Sequence, residues 1–223
     1  EDIKIYDISS GVSQAILRDQ GNHTKSSMTL GYTYDSRDSV QLSRTGQRLD
    51  LSTFLAGGPL GASLSEWGFD ANGAKYFHLP GDGVFMINAE WSEIENYGST
   101  DHVPIFDALY LGGPNSLRGF RFRAMSPYDN KGQPIGGDSL ARVTAEYTFP
   151  IMDRVRGATF YDTGFVNPGA FDMSVSHIAS DVGIGLRLDL PIGPVRLDYG
   201  VPIQNPVHTS STGQFNFSMG YQF

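Results

Sequence analysis

The 223-residue chain has no cysteine, which excludes disulfide scaffolds and thiolate metal centres. Positive charge is scarce. There are 16 Lys and Arg against 24 Asp and Glu, a formal net charge of -8. A nucleic-acid partner is excluded with it, because such a surface needs a basic face. No run of 18 apolar residues occurs, so no transmembrane helix is encoded. Helical periodicity is almost missing as well. Glycine is abundant at 27 residues, and aromatic residues make up 12%. The length fits one large or two small domains. A membrane is not excluded, since a transmembrane strand needs only about 9–11 residues with apolar side chains at every second position. The chain opens on Glu1-Asp2-Ile3-Lys4-Ile5 without a signal-peptide pattern, as a mature chain or a cut piece would.

Period-2 segments recur along the chain. From Asp181 to Leu190, Val182, Ile184, Leu186, Leu188 and Leu190 point one way, and Gly183, Gly185, Arg187 and Asp189 the other. A turn at Pro191-Ile192-Gly193-Pro194 follows. Val195, Leu197, Tyr199 and Val201 then alternate with Arg196, Asp198 and Gly200. Val143, Ala145, Tyr147 and Phe149 alternate with Arg142, Thr144, Glu146 and Thr148. Tyr161, Thr163 and Phe165 alternate with Asp162 and Gly164. Similar strands lie around 28–35, 49–55, 67–77 and 85–91, with Phe54 and Lys75 breaking the alternation. A short strand near Ile3 to Ile8 brings the expected number to about ten.

Short turns are expected near 79–82, 150–154 and 191–194. Long polar loops are expected at about 9–24, 98–138, 166–178 and 203–213. Short turns at one end and long loops at the other are the layout of an outer-membrane barrel. A soluble sandwich would show Greek-key jumps instead. The polar faces carry Arg142, Glu146, Arg187, Asp189, Arg196 and Asp198, more charge than a packed core tolerates. The expected fold is therefore all-β, an antiparallel transmembrane barrel. A soluble barrel or sandwich is the alternative left by pattern alone.

Six motifs stand in order along the chain. Tyr34-Asp35-Ser36-Arg37-Asp38 is followed by Gly46. Leu111-Gly112-Gly113-Pro114-Asn115-Ser116-Leu117-Arg118-Gly119-Phe120 lies in the longest loop. Gly136-Gly137-Asp138 opens the next strand, which carries Ala145-Glu146-Tyr147. Phe160-Tyr161-Asp162-Thr163-Gly164 and Ile192 to Gly200 follow. The chain closes on aromatic alternation ending at Phe223. This set resembles the outer-membrane-protein assembly factor family, the BamA-like transporters, over about residues 9 to 223. It is closer to them than to TamA-like or two-partner secretion transporters.

The resemblance implies an integral bacterial outer-membrane protein. It would be the central barrel of the machinery that folds and inserts β-barrel proteins. The family barrel has sixteen strands behind POTRA domains, so this chain would be its C-terminal segment, residues 1–223, without POTRA domains. Implied partners are outer-membrane lipids, unfolded barrel clients, accessory assembly lipoproteins and periplasmic chaperones. No cofactor, no metal and no catalysis are implied. The loop at about 98–138 would fold into the barrel. Arg118 would pair there with the inward carboxylates Glu146 and Asp162, on strands about 4.8 Å apart. Gly119 would allow a close turn and Phe120 would pack on the wall. Together these five residues would lock the loop inside. Phe215, Phe217, Met219, Tyr221 and Phe223 would form a lipid-facing stripe, a C-terminal targeting signal and a seam strand recognised by strand addition. Gly220 would weaken pairing locally.

Other features read more plainly. Asp35, Arg37 and Asp38 suit structural pairing at a strand end. Asp129-Asn130-Lys131-Gly132 has too few carboxylates for a cation site and reads as a turn. His23, His78, His102, His177 and His208 fit no metalloprotease spacing and read as surface residues. A barrel enzyme would need a converging Ser–His or Asp–His set, and no GxSxG motif occurs. A passive porin is the remaining alternative, opposed by a loop that would plug it.

Overall fold

The computed structural model of the chain describes residues 1–6, 11, 13–40, 42–190, 193–206 and 212–219. Nine strands form one antiparallel meander in strict chain order. They are β3 (Ser27–Asp35), β4 (Gly46–Ala56), β5 (Glu66–Leu79), β6 (Gly83–Asn96), β7 (Ser139–Met152), β8 (Val155–Asn167), β9 (Ala179–Leu190), β10 (Gly193–Gln204) and β11 (Gln214–Met219). A separate hairpin pairs β1 (Asp2–Ile5) with β2 (Gly21–Thr24), joined through the short helix α1 (Gln14–Arg18). Among the described residues eleven strands thus replace the expected ten or so. The polar loop expected at 9–24 holds α1 and β2, elements too short to leave a periodic signal. Among the described residues β3 pairs only with β4 and β11 only with β10, so the sheet is open.

Burial is inverted relative to a soluble domain. Val182, Ile184, Leu186, Tyr199, Val201, Phe215, Phe217 and Met219 are exposed, while Glu146, Asp162, Arg187 and Asp198 on the same strands are buried. Strand alternation puts apolar side chains on the outer face and charged ones inside. A water-facing sheet would have packed the apolar rows together. These rows find no protein partner because lipid is their solvent. The outward stripe of β11 is seen for Phe215, Phe217 and Met219. Tyr221, Phe223, Gly220, Ile192 and His208 lie outside the described residues. Phe54, the break in the β4 pattern, sits under the Lys25 ammonium, 5.0 Å from its ring centre.

Connections alternate between two ends. Residues 36–45, 80–82, 153–154 and 191–192 join strands at one end. Residues 57–65, 97–138, 168–178 and 205–213 join them at the other. Segment 36–45 departs from the expected run of short turns. It is held by Arg37 donating to both Asp35 oxygens, and by Asp38 accepting from the backbone of Arg44 and Thr45. That is the structural pairing expected of these three residues. Pro150 and Pro202 both sit at register shifts, where a missing N–H donor does least harm.

The β1–β2 hairpin covers the loop end. Lys25 pairs with Asp107 of the long loop and with buried Glu66 at the start of β5. Asp19 accepts from the Ile105 amide at 2.7 Å and contacts His102 Nε2 at 2.5 Å. His102 is therefore held between Asp19 and Asp101, and His23 packs on Phe106. Neither is the free surface residue expected from its connection, whereas His78 and His177 are exposed. Asp129 makes the expected turn, its Oδ1 accepting from the Lys131 and Gln133 amides.

Candidate functional site: a loop seated inside the sheet

The longest connection, residues 97–138, folds back over the inner face. It carries its own small core. Leu111, Leu117, Phe120 and Met125 bury themselves against Leu140 of β7, Val166 of β8 and Ala179 of β9. Phe120 thus packs on the wall and on the loop at once. Bridges between Leu109 and Gly137, and between Leu111 and Met125, keep the loop folded on itself. This internal order offsets the entropy of closing so long a segment.

The loop tip delivers Arg118, 2% exposed, to the middle of the inner face. Its fork grips Asp162, with Nε to Oδ2 at 2.8 Å and Nη2 to Oδ1 at 2.9 Å. Nη1 donates to Glu146 Oε2 at 2.6 Å. The guanidinium lies 3.4 Å above the Phe160 ring centre. In register, Asp162 faces Thr144, so Glu146 is its diagonal neighbour across the β7–β8 pair. A planar fork spans that diagonal, which a lysine's point charge would not.

The site is wider than Arg118 and its two acids. Arg187 on β9 donates to both Glu146 oxygens and to Asp198 on β10 at 2.7 Å. Asp162 also accepts from Thr144, which accepts from Arg142, which pairs with Glu90 on β6. On β11, Asn216 donates to the Arg118 carbonyl at 2.8 Å. One hydrogen-bonded network therefore crosses six strands, from β6 to β11. Alternation had placed Arg187 and Asp198 inward, but the sequence reading did not join them to Arg118. Phe160 stood only as the first residue of its strand motif, and Thr144 and Asn216 carried no signal beyond their inward phase.

Gly119 sits in the close turn expected of it, which the Phe120 amide closes on the Leu117 carbonyl at 3.1 Å, and it serves a second purpose as well. A Cβ there would stand 2.5 Å from the Asp181 Cβ. Opposite it, a Cβ on Gly200 would stand 2.7 Å from the Arg118 carbonyl carbon and the Gly119 nitrogen. The loop backbone therefore lies directly on β10, and glycine on both sides permits the approach. A cavity of about 710 Å3 remains beside the seated tip, lined by Arg48, Asp50, Asn72, Asn88 and Glu90 among others. Among the described residues no group of three His, Asp or Glu side chains is placed to hold a metal ion.

The Omp85 superfamily domain matches residues 1–223. The chain belongs to the Omp85 superfamily. It is 28% identical to outer membrane protein assembly factor BamA of Nitratidesulfovibrio vulgaris over 99% of its own length. It spans 28% of that relative. Among solved structures, BamA from Haemophilus ducreyi lacking POTRA domains 1–3 shares the fold with a TM-score of 0.71 and 22% identity. That match covers 86% of this chain and 41% of the other. CdiB from Acinetobacter baumannii matches with a TM-score of 0.58 and 18% identity, over 88% of this chain and 33% of that one. The chain is thus a BamA-like antiparallel segment of an integral β-barrel of the bacterial outer membrane.

Proposed function

We propose that the protein carrying this chain is the central barrel of the outer-membrane protein assembly machinery, and not an enzyme. It folds and inserts unfolded β-barrel clients, working with accessory lipoproteins and periplasmic chaperones. The chain forms the C-terminal part of its barrel. The observation that carries this reading is the seated loop. A segment locked across six strands by Arg118 obstructs a passive pore, yet it braces the wall up to β11. In this reading β11 is the seam strand, and clients are templated on its edge by backbone pairing. The lock keeps that edge in position while a client strand adds to it. The likeness to an assembly factor over nearly the whole chain supports the same reading.

The experiment is complementation. The full-length protein with Arg118→Ala replaces the wild type in cells depleted of it, and folded client barrels are quantified by heat-modifiable mobility. Folded clients should fall while the variant itself stays in the membrane. Normal client levels with the loop demonstrably released would overturn the reading. A second reading, a translocation barrel of the TamA-like or two-partner secretion kind, is favoured by the likeness to CdiB. It expects a secreted partner to accumulate in the periplasm while client barrels fold normally.

A further inference from the structure

The outer face carries a shallow groove that the barrel's own architecture does not explain. On β5 the outward row runs Ala71, Gly73, Lys75 and Phe77. Register sets Leu49 of β4 and Ala89 of β6 on either side of Gly73. Gly73 and Ala89, side by side, leave a depression of about 400 Å3, lined by Leu49, Gly73, Lys75, Phe77, Ile87 and Ala89 among others. Its turn-end margin is Lys75. In register that lysine stands between Gln47 and Ile87, neither of which is charged. Its ammonium lies 5.4 Å from the Phe77 ring centre, and among the described residues it has no carboxylate partner.

A lysine on the lipid face is costly unless its head reaches the interface. Lys75 sits near the turn end, close to the Phe77–Phe85 aromatic pair. That is the level of the aromatic girdle and the headgroups. We propose that the groove is a binding site for an anionic phospholipid of the leaflet at the turn end. Its phosphate pairs with Lys75, and one acyl chain lies along Gly73 between Leu49 and Ala89. Charge supports this occupant. The chain as a whole is at -8, so bulk electrostatics repel anionic lipid and only a local cation selects it. Shape supports it too. A groove one side chain deep on a lipid-facing sheet fits an acyl chain, and its lining is apolar apart from Lys75, Gln47 and Arg48, whose guanidinium is already paired with Asp50.

Trp91, two residues beyond Ala89 on the same face, reports on the groove. The full-length protein is reconstituted in phosphatidylcholine vesicles doped with brominated phosphatidylglycerol or brominated phosphatidylcholine. The quenching difference between the protein and its Trp91→Phe variant isolates the Trp91 signal. Brominated phosphatidylglycerol should quench more strongly, by up to about fivefold in apparent affinity, the factor one lysine carries near an anionic surface. Lys75→Gln should bring that ratio to about one. Gly73→Leu, which fills the groove, should do the same. Gly73→Ala is a milder version that keeps the fold, since its Cβ would stand 3.7 Å from Leu49 Cδ1. Lys131→Gln, on an exposed loop at the far end, should leave the ratio unchanged. Equal quenching by both lipids in the wild type overturns the proposal. So does a ratio that survives Lys75→Gln, or one that Lys131→Gln lowers as much.

Discussion

Replacing Arg118 by alanine removes three charged hydrogen bonds, two to Asp162 and one to Glu146, together with the contact on Phe160. The two acids do not suffer equally. Glu146 keeps both bonds from Arg187, whereas Asp162 keeps only neutral donors, the Thr144 hydroxyl and the residue-118 backbone amide at 3.3 Å. Asp162 is fully buried, with Asp181, another fully buried acid, opposite it in register. The cost is therefore that of one orphaned buried carboxylate, about 3–5 kcal/mol. At 1.4 kcal/mol per factor of ten, the seated loop should lose about a hundredfold or more in population. Hydrogen exchange over residues 111–120, in lipid nanodiscs, reads this as lost protection. Asp162→Asn in the Arg118→Ala background should recover part of the loss, because it removes the stranded charge. Arg118→Lys should fall between, since it keeps the charge and loses the fork. Unchanged protection in Arg118→Ala would refute the lock and leave Leu117 and Phe120 packing as what seats the loop.

Four further outcomes are expected. Leu186→Arg, mid-strand on the lipid face, should destabilise by about 2–4 kcal/mol in unfolding titrations in lipid, and Ile203→Arg near the loop end by about 0–1; the reverse order would misplace the membrane. A single cysteine at Lys131 should be labelled on intact cells and one at Asp153 should not; the opposite pattern would invert the topology. Gly200→Ala removes no charge, yet its Cβ would meet the Arg118 and Gly119 backbone at 2.7 Å; exchange protection of the tip should fall as in Arg118→Ala, with little further loss when the two are combined. Asp138, just before β7, is pushed up to about 6 by burial and by Glu93 and Glu95. The folded protein holds that proton more tightly than the unfolded chain. Its contribution is thus complete below about pH 4 and is lost as pH rises through 6. Asp138→Asn should flatten that part of the stability profile measured by thermal unfolding.

Alternation carried most of what was legible. A side-chain period of two assigns each strand residue to a face, so Arg187 inside and Leu186 outside followed from the Val182–Leu190 pattern alone. Register did not follow. It depends on turn geometry, and one residue of slip would have moved Glu146 away from Asp162. The offset that faces Asp162 with Thr144, and leaves Glu146 on the diagonal, is visible only once the strands are paired. The reach of Arg187 to both Glu146 and Asp198 has the same origin. Gly119 was read only in part, for a related reason. Chain chemistry suggests glycine for a turn, and the turn is there, but a second constraint comes from Asp181 and Gly200, far away in sequence. The α1 and β2 elements were missed because four or five residues are too few for a period to show.

The inverted burial also explains why the loop and the wall belong together. Facing outward, the strands lose nothing by exposing leucine and valine to lipid. Facing inward, they present acids and arginines that no hydrophobic core can accept. Either water fills that interior or protein does. Here the loop supplies both kinds of filling. Near the loop end Leu111, Leu117 and Phe120 make a dry cluster on Leu140 and Val166. Deeper in, Arg118 adds a positive charge to an interior whose wall carries Glu90, Glu146, Asp162, Asp181 and Asp198. The wall arginines Arg142 and Arg187 already pair with Glu90, Glu146 and Asp198, which leaves Asp162 and Asp181, opposite each other in register, and of these two Arg118 pairs with Asp162. Removing the loop would therefore strand a charge on β8 as well as empty the interior. Loop seating and wall integrity are coupled through that one carboxylate, and a signal that frees Arg118 would be felt on the strands that lead to the β11 edge.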